Sequence, residues 1–211
     1  MGAPADRLVA ELRHGVTDER VLGALRSVPR DAFVPPDLQE EAWDNIPLPI
    51  GCGQTISQPL VVARMCELLA LRGDERVLDV GTGSGYHAAV LARLAAHVYS
   101  IELHPELSTR AARCLAAAGI GNVTLVTGDG TRGLPEHAPY DAINVAAAAS
   151  GEVPAALAQQ LAAGGRLVAP VDGADQRLVF LRRTGDRLDT TELERVRFVP
   201  LVHGGSAGRP A

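Results

Sequence analysis

Apolar residues recur at helical spacing in two short segments near the start of the chain, one on either side of Gly15. We predict a helix in each segment, the second capped by Thr17, with Asp18 and Glu19 in its first turn. Pro29 ends the second helix. The apolar positions predicted to face the core are Leu8, Val9, Leu12, Val21, Leu22, Leu25 and Val28.

Residues 33–59 contain prolines and glycines that break any helical or strand pattern, so we predict this stretch as a loop. After it, short apolar runs alternate with helical patterns. Predicted helices cover residues 60–71, 86–94, about 105–118 and 154–161, and predicted strands cover 76–80, 97–102, 123–127, 141–145 and 166–170. Two further strands, 177–182 and 195–199, follow without a helix between them.

This alternation is typical of an α/β fold with a doubly wound, mostly parallel, Rossmann-like sheet. We divide the chain into an N-terminal helical region with a substrate and cofactor loop (1–59), a cofactor-binding core (60–205) and a flexible tail (206–211). The length of 211 residues fits one compact domain overall.

Composition narrows the possible partners. The net charge of −5 provides no basic surface for nucleic acid, and no run of about 18 apolar residues is present to span a membrane. Charged residues interrupt the N-terminus, so it does not resemble a signal peptide. The three cysteines show no disulfide or metal pattern, and the six histidines are dispersed. We therefore expect a cytoplasmic protein, a monomer, without a bound metal.

The strongest local signal is the glycine turn after the first core strand, in which Gly81, Thr82, Gly83, Ser84 and Gly85 follow the sequence VLDV. Glycines at such a turn let the backbone approach a ligand at the start of a helix. The turn has no glycine in the last position of the dinucleotide fingerprint, and it lacks the Gly-Lys-Ser/Thr of a phosphate-binding loop.

Asp79 precedes these glycines. Its carboxylate would repel a pyrophosphate but suits the cationic methionine portion of S-adenosyl-L-methionine (SAM). An acidic residue at this position can also be purely structural.

Two further acidic residues lie at the ends of the next two predicted strands. Glu102, followed by Leu103, lies about 20 residues after the first glycine, where an acid binds ribose hydroxyls in nucleotide-binding folds. Asp129, followed by Gly130, could accept a hydrogen bond from an adenine amino group. Ligands bind at the carboxyl ends of the strands in this architecture. The three acids together predict a SAM site, which would also bind the product S-adenosylhomocysteine.

The loop before the glycine turn, GCGQTISQP at residues 51–59, carries a more specific resemblance. It is similar to the loop of protein-L-isoaspartate (D-aspartate) O-methyltransferases, where GYGQTISQP is typical. Other segments resemble that family in the same order, over roughly residues 20–201: FVP (33–35), LPIG (48–51), GDG (128–130), GGRLV (164–168) and FVPL (198–201).

The resemblance implies a SAM-dependent protein carboxyl O-methyltransferase acting in protein repair. Its substrates would be damaged proteins and peptides, methylated on the free α-carboxyl of L-isoaspartyl and also D-aspartyl residues. Carried over by position, Ser57 matches the active-site serine, and Gln54, Thr55, Ile56 and Ser57 line the junction of cofactor and substrate.

The chemistry requires alignment rather than a strong base, because a carboxylate is already ionised near neutral pH. Ser57 could hold the carboxylate; alternatively, it could cap the helix that begins near Pro59. Cys52 and Trp43 depart from the residues usual in the family and could alter peptide preference. We expect no C-terminal segment beyond Leu201 to cover the site.

Two other functions stay open. One is a carboxyl methyltransferase that acts on an Asp of a dedicated peptide and drives aspartimide formation. The other is a SAM-binding regulatory module that has lost catalysis, against which the presence of all three acids and Ser57 argues.

Overall fold

The computed structural model describes residues 3–204, so the predicted tail at 206–211 lies outside the described residues. Two helices lead into the fold, α1 (Pro4–Leu12) and α2 (Glu19–Ser27). The N-cap of α2 is Asp18 and not Thr17, as predicted, because the Asp18 carboxylate accepts from the backbone N–H groups of Arg20 and Val21. Thr17 instead donates to Glu67.

The rest of the described chain alternates strands and helices, with short turns of 3-10 helix in the connections. The remaining elements are β1 (Leu48–Gly51), β2 (Gln54–Ile56), α3 (Pro59–Leu69), β3 (Arg76–Val80), α4 (Tyr86–Ala92), β4 (His97–Glu102), α5 (Pro105–Ala117), β5 (Val123–Thr127), β6 (Tyr140–Val145), β7 (Ala149–Ser150), α6 (Ala155–Gln159), β8 (Leu161–Asp172), β9 (Arg177–Thr184) and β10 (Arg187–Arg195).

The main sheet has the strand order β10-β9-β8-β6-β3-β4-β5, and the short β7 pairs with β8. Strands β3, β4, β5, β6 and β8 run parallel. At one edge of the sheet, β9 pairs antiparallel with β8, and β10 pairs antiparallel with β9. From β3 the chain continues to β4, which lies on one side of β3, and later returns to β6, which lies on the other side of β3. This reversal of strand order creates a crevice at the carboxyl ends of β3 and β6, the usual ligand position of the architecture. The predicted doubly wound α/β fold is confirmed.

The two faces of the sheet form separate apolar clusters, because side chains alternate along a strand. Val77 packs in the cluster that also contains the buried faces of α1, α2, α3 and α4, while Leu78 packs on the opposite face. Asp79 projects from the same face as Val77, and it is therefore covered by helices.

Two sequence predictions about secondary structure are wrong. The predicted loop at 33–59 contains the antiparallel hairpin β1–β2, whose turn places Gly51, Cys52 and Gly53 at positive φ. Of the predicted strand at 195–199, only Arg195 pairs in the sheet, as the last residue of β10. The last strand is instead β10, whose side chains are mostly exposed, so that its sequence has no clear apolar alternation.

Candidate active site

A cavity lies at the carboxyl edge of the sheet, over the ends of β3 and β4 and beside the residues that follow β6. Of the predicted cofactor residues, those that line it are Gln54, Thr55, Gly81, Gly83, Glu102, Leu103 and Gly130. Residues from 199 to 202 close another side, and Ala146 and Ala147 lie after β6. We call this space the cofactor cavity.

Glu102 is held rigidly at the end of β4. Its side chain is buried, with one carboxylate oxygen accepting from the Gly83 N–H at 2.7 Å and the other from the His104 N–H at 3.0 Å. Each oxygen of a carboxylate can accept more than one hydrogen bond. The Glu102 carboxylate can therefore bind donor groups of a ligand in the cavity while it fixes the glycine turn.

Close packing beside the cavity disfavours a side chain at two glycines. Gly83 has φ of +55°, and a Cβ there would lie 3.3 Å from Ile50 Cδ1. A Cβ on Gly130 would lie 2.6 Å from Val80 Cγ1, which is too short for any side chain. The two positions keep the backbone close to the cavity.

Asp79 does not line the cavity, in contrast to the direct cofactor contact predicted from the sequence. It is fully buried, and its carboxylate accepts from Ser100 Oγ at 2.7 Å and from Asn144 Nδ2 at 2.7 Å. Since the Ser100 hydrogen is used on Asp79, Ser100 Oγ must accept from the Thr82 hydroxyl at 2.6 Å. Asn144 also donates to His87 Nδ1 at 3.2 Å. Asp79 thus stabilises the glycine turn through a chain of hydrogen bonds that runs through Ser100 to Thr82.

The network continues to a buried cysteine on α3. Because His87 Nδ1 accepts a hydrogen bond, its hydrogen lies on Nε2, which is 3.6 Å from Cys66 Sγ. Burial lowers the pKa of His87 to about 3, so the ring is neutral at pH 7. Burial raises the pKa of Asp79 to about 6 in spite of the hydrogen bonds that it accepts.

We predict that Asp79→Asn gains stability relative to the parent protein as the pH rises from 4 to 7. The pKa of Asp79, about 6 against an ordinary 3.8, means that the folded protein binds this proton more tightly than the unfolded chain. The contribution is therefore complete below pH 4 and is lost as the pH rises through 6. Urea unfolding should show the difference in unfolding free energy move by about 2–3 kcal/mol toward the variant. A difference independent of pH would contradict the titration of Asp79 in this range.

Other predicted cofactor residues serve the scaffold. Ser84 Oγ accepts from the Tyr86 N–H at the start of α4, and Gly85 allows the close approach of Ala111 on α5. The side chain of Ile56 is buried in the apolar cluster beneath the N-terminal helices. Ser84, Gly85 and Ile56 therefore do not line the cofactor cavity; they stabilise the structure next to it.

Asp129 faces the C-terminal segment. One of its oxygens accepts from Thr131, and the other accepts from the Gly204 N–H at 3.0 Å. Burial raises the pKa of Asp129, but the hydrogen bonds from Thr131 and Gly204 outweigh it and hold the pKa below its ordinary value. A contact of Asp129 with adenine stays a prediction, and it would use the lone pairs that these bonds leave.

The expectation that no segment beyond Leu201 covers the site is wrong for residues 202–204, because Val202 lines the cofactor cavity and the Gly204 N–H donates to Asp129. Two backbone hydrogen bonds, from Ala148 N–H to the Val199 carbonyl and from Leu201 N–H to the Ala148 carbonyl, hold this segment across the edge of the sheet. His203 lies 3.1 Å from the Thr131 hydroxyl. Leu201 and Val202 then form part of the cofactor cavity. The sequence signal was the FVPL motif (198–201), which we used as a family resemblance and of which only the first two residues lie in the predicted strand 195–199.

A second cavity adjoins the first. Thr55, Ala146 and Val199 line both, and the second also contains Ser57, Gln58 and the residues from 195 to 198. We call it the substrate cavity. Ser57 does not cap α3, because the N-cap is Gln58 and no side chain caps that helix. The Ser57 hydroxyl has no hydrogen-bond partner within residues 3–204, so it is available to a ligand.

Sequence reasoning missed Arg30, which fixes the loop beside Ser57. Its guanidinium is fully buried and donates to the carbonyls of Ala42, Ile46 (2.9 Å) and Ser57 (3.1 Å). It also lies 5.7 Å from the ring centre of Tyr86. Burial lowers the pKa of Arg30 to about 10, so it stays charged at pH 7. An arginine in a polar segment gives no sequence signal of such burial.

Three further features of residues 3–204 bear on the class of protein: membrane-spanning helices, metal sites and disulfides. No described helix combines the length and apolar character needed to cross a bilayer. In the same part of the chain, no group of three His, Cys, Asp or Glu side chains is arranged to hold a metal ion. The three cysteines are unpaired.

The doubly wound sheet, the glycine turn and the buried acid at the end of β4 are features of nucleoside-binding α/β folds, and together with the family match they identify the class as the SAM-dependent methyltransferases. The sequence matches the family description Protein-L-isoaspartate(D-aspartate) O-methyltransferase over residues 4–206. The chain belongs to this family.

Similar proteins of known name agree with this assignment. Protein-L-isoaspartate O-methyltransferase 1 of Rhodopseudomonas palustris (strain HaA2) is 54% identical over 206 residues, covering 95% of this chain and 83% of that protein. The protein-L-isoaspartate O-methyltransferase of Halorhodospira halophila is 55% identical over 202 residues, covering 94% and 91%.

Two solved structures share the fold. A protein-L-isoaspartate O-methyltransferase superposes with a TM-score of 0.85 at 30% identity, over 95% of this chain and 66% of that one. A structure from Plasmodium falciparum, solved with S-adenosyl-L-homocysteine, gives a TM-score of 0.82 at 24% identity over 95% and 99%. The predicted family resemblance is confirmed.

Proposed function

We propose that this protein methylates the free α-carboxyl group of L-isoaspartyl residues, and also D-aspartyl residues, in damaged proteins and peptides, with SAM as the methyl donor. The observation that carries the proposal is the pair of adjoining cavities. One contains the fixed Glu102 carboxylate, the other contains the Ser57 hydroxyl, which has no partner among the described residues, and Thr55 lies on their common wall.

The cofactor cavity suits the nucleoside of SAM. Glu102 would accept from the ribose hydroxyls, while the backbone at Gly81 and Gly83 lies close enough for direct contact. When bound, SAM supplies a methyl group on a sulfonium, which a carboxylate oxygen can attack to give a methyl ester and S-adenosylhomocysteine. Asp79 would contribute by holding Thr82, and so the turn, in place.

Glu102→Ala should weaken the binding of SAM and S-adenosylhomocysteine alike, because both carry the same ribose. A hydrogen bond to a charged group contributes about 1.5–3 kcal/mol, so the dissociation constants should rise about 10- to 150-fold. Isothermal titration calorimetry measures both. The matched control is Glu106→Ala in the first turn of α5, where the side chain is exposed. Unchanged affinity in a folded Glu102→Ala protein would remove Glu102 from the site.

Catalysis by the chain's own residues would consist of positioning. The substrate carboxylate needs no base, since it is ionised near neutral pH. The Ser57 hydroxyl can donate to one carboxylate oxygen and leave the other free to react. Arg30 donates a hydrogen bond to the Ser57 carbonyl and so fixes the position of the backbone that carries this hydroxyl. Alignment of this kind can lower a barrier by about 7–11 kcal/mol in well-oriented systems.

The peptides that the protein methylates distinguish protein repair from methylation of a dedicated peptide. A repair enzyme should methylate isoaspartyl peptides of unrelated sequence, and long incubation with SAM should convert them partly into normal aspartyl peptides through succinimide formation. Chromatography of the products measures how much isoaspartyl peptide has become normal aspartyl peptide. Methylation confined to normal aspartyl residues of one peptide would favour the aspartimide-forming alternative. SAM binding without any methyl transfer would favour the regulatory module.

We also propose a cytoplasmic monomer that does not bind nucleic acid, organised as one compact domain with the regions 1–59 and 60–205 packed together. The net charge of −5 supports the absence of nucleic-acid binding, and three cysteines without a disulfide support the cytoplasmic location. The apolar cluster common to α1, α2, α3 and the sheet supports the single domain.

A further inference from the structure

Among residues 3–204, the substrate cavity is lined by arginines and by no acidic residue. Arg195 and Arg197 line it together with Thr55, Ser57 and Phe198, and no Asp or Glu is among its lining residues. An uncompensated cation in a cavity attracts an anionic ligand.

The charged residues of this segment differ in whether they are paired. Glu194 forms an ion pair with Arg64 at 2.9 Å, and Arg195 forms one with Asp175 at 2.7 Å. Arg197 is exposed and makes no hydrogen bond or ion pair within residues 3–204. It is thus the cation of the cavity that is available to a ligand.

We propose that Arg197 is a specificity-determining residue that binds the ionised carboxyl group of the isoaspartyl substrate in the cavity that contains Ser57. This inference rests on the proposed function. Arg197 approaches from the C-terminal segment, and Ser57 from the segment between β2 and α3, so the two line different walls. The guanidinium would select the anion and Ser57 would orient it.

The charge change of the reaction sets how Arg197 acts. Esterification removes the negative charge of the carboxylate, so an arginine bound to it stabilises the reactant at least as well as the transition state. Loss of such an interaction raises KM without lowering kcat. The neutral ester is then bound less well than the acid, which favours release of the product.

The test compares Arg197→Gln with the parent protein on an isoaspartyl peptide and on its uncharged isoasparaginyl counterpart, used as a competitive inhibitor. We expect KM for the acid peptide to rise about 10-fold, near the lower end of the effect of losing a hydrogen bond to a charged group. We expect kcat to stay within twofold or to rise, and Ki of the amide peptide to stay within twofold. Arg197→Lys should retain most of the affinity, because it keeps the charge.

Arg187→Gln is the matched control, since Arg187 is an exposed arginine of β10 that pairs with Asp189 and is not among the lining residues of either cavity. It should leave KM within twofold. The proposal is overturned if Arg197→Gln leaves KM for the acid unchanged, if it weakens the acid and the amide equally, or if it lowers kcat alone. Failure of the proposed function would look different, because the parent protein itself would not methylate the isoaspartyl peptide.

Discussion

Replacement of Ser57 by alanine should lower kcat on an isoaspartyl peptide about 100-fold, the order of loss when a group that aligns the reacting atoms or donates to them is removed. SAM affinity should be unchanged, because Ser57 lines the substrate cavity and not the cofactor cavity. The melting temperature should also be unchanged, because Gln58 and not Ser57 is the N-cap of α3.

Initial rates, calorimetry with SAM and thermal melting on one purified variant separate these effects. Ser150→Ala, at an exposed position of β7, is the control and should match the parent in all three. Normal turnover in Ser57→Ala would exclude a catalytic role. A lowered melting temperature with kcat retained would mean that the serine has a structural role instead.

Replacement of Arg30 by alanine should lower the free energy of unfolding by about 3–5 kcal/mol, because three carbonyls would lose a charged donor and each hydrogen bond to a charged group contributes about 1.5–3 kcal/mol. The variant would leave the carbonyls of Ala42, Ile46 and Ser57 without their donor, the first in a buried position and the other two in partly buried positions. Because the Ser57 carbonyl is one of them, kcat/KM should fall as well at temperatures where the variant is folded. Urea unfolding and initial rates measure the two effects.

Arg26→Ala is the matched control, because Arg26 is an exposed arginine on α2 that pairs with Asp6. A pair of this kind contributes about 0–1 kcal/mol. Arg30→Lys gives a second variant if Arg30→Ala fails to fold. It keeps the charge but cannot reach all the carbonyls, so we expect an intermediate loss. Equal stability of Arg30→Ala and Arg26→Ala would contradict the role of Arg30.

The sequence predicted the parts of the fold that depend on local pattern. The strands 76–80, 97–102 and 123–127 agree with β3, β4 and β5 because buried parallel strands are short apolar runs between turns. The hairpin β1–β2 was missed since its proline and glycines are typical of loops. β10 was missed because an exposed edge strand has no apolar face.

The site could be predicted where motif and topology coincide. Glu102 and the glycine turn lie at the ends of adjacent strands, so sequence order was enough to bring them together. The burial of Asp79 depends on Ser100, Asn144 and His87 from other elements, which no local pattern indicates. Arg30 and Arg197 were not identified, because their importance depends on which groups surround each guanidinium.

The most direct test of the central claim is methyl transfer from radiolabelled SAM to an isoaspartyl peptide and to its normal aspartyl twin of the same sequence. We predict SAM-dependent, base-labile incorporation on the isoaspartyl peptide and at least a 100-fold lower kcat/KM on the twin, since a misplaced carboxylate loses about that factor. Equal incorporation on both peptides, or incorporation on the normal aspartyl peptide alone, would contradict isoaspartyl carboxyl methylation as the activity of this protein.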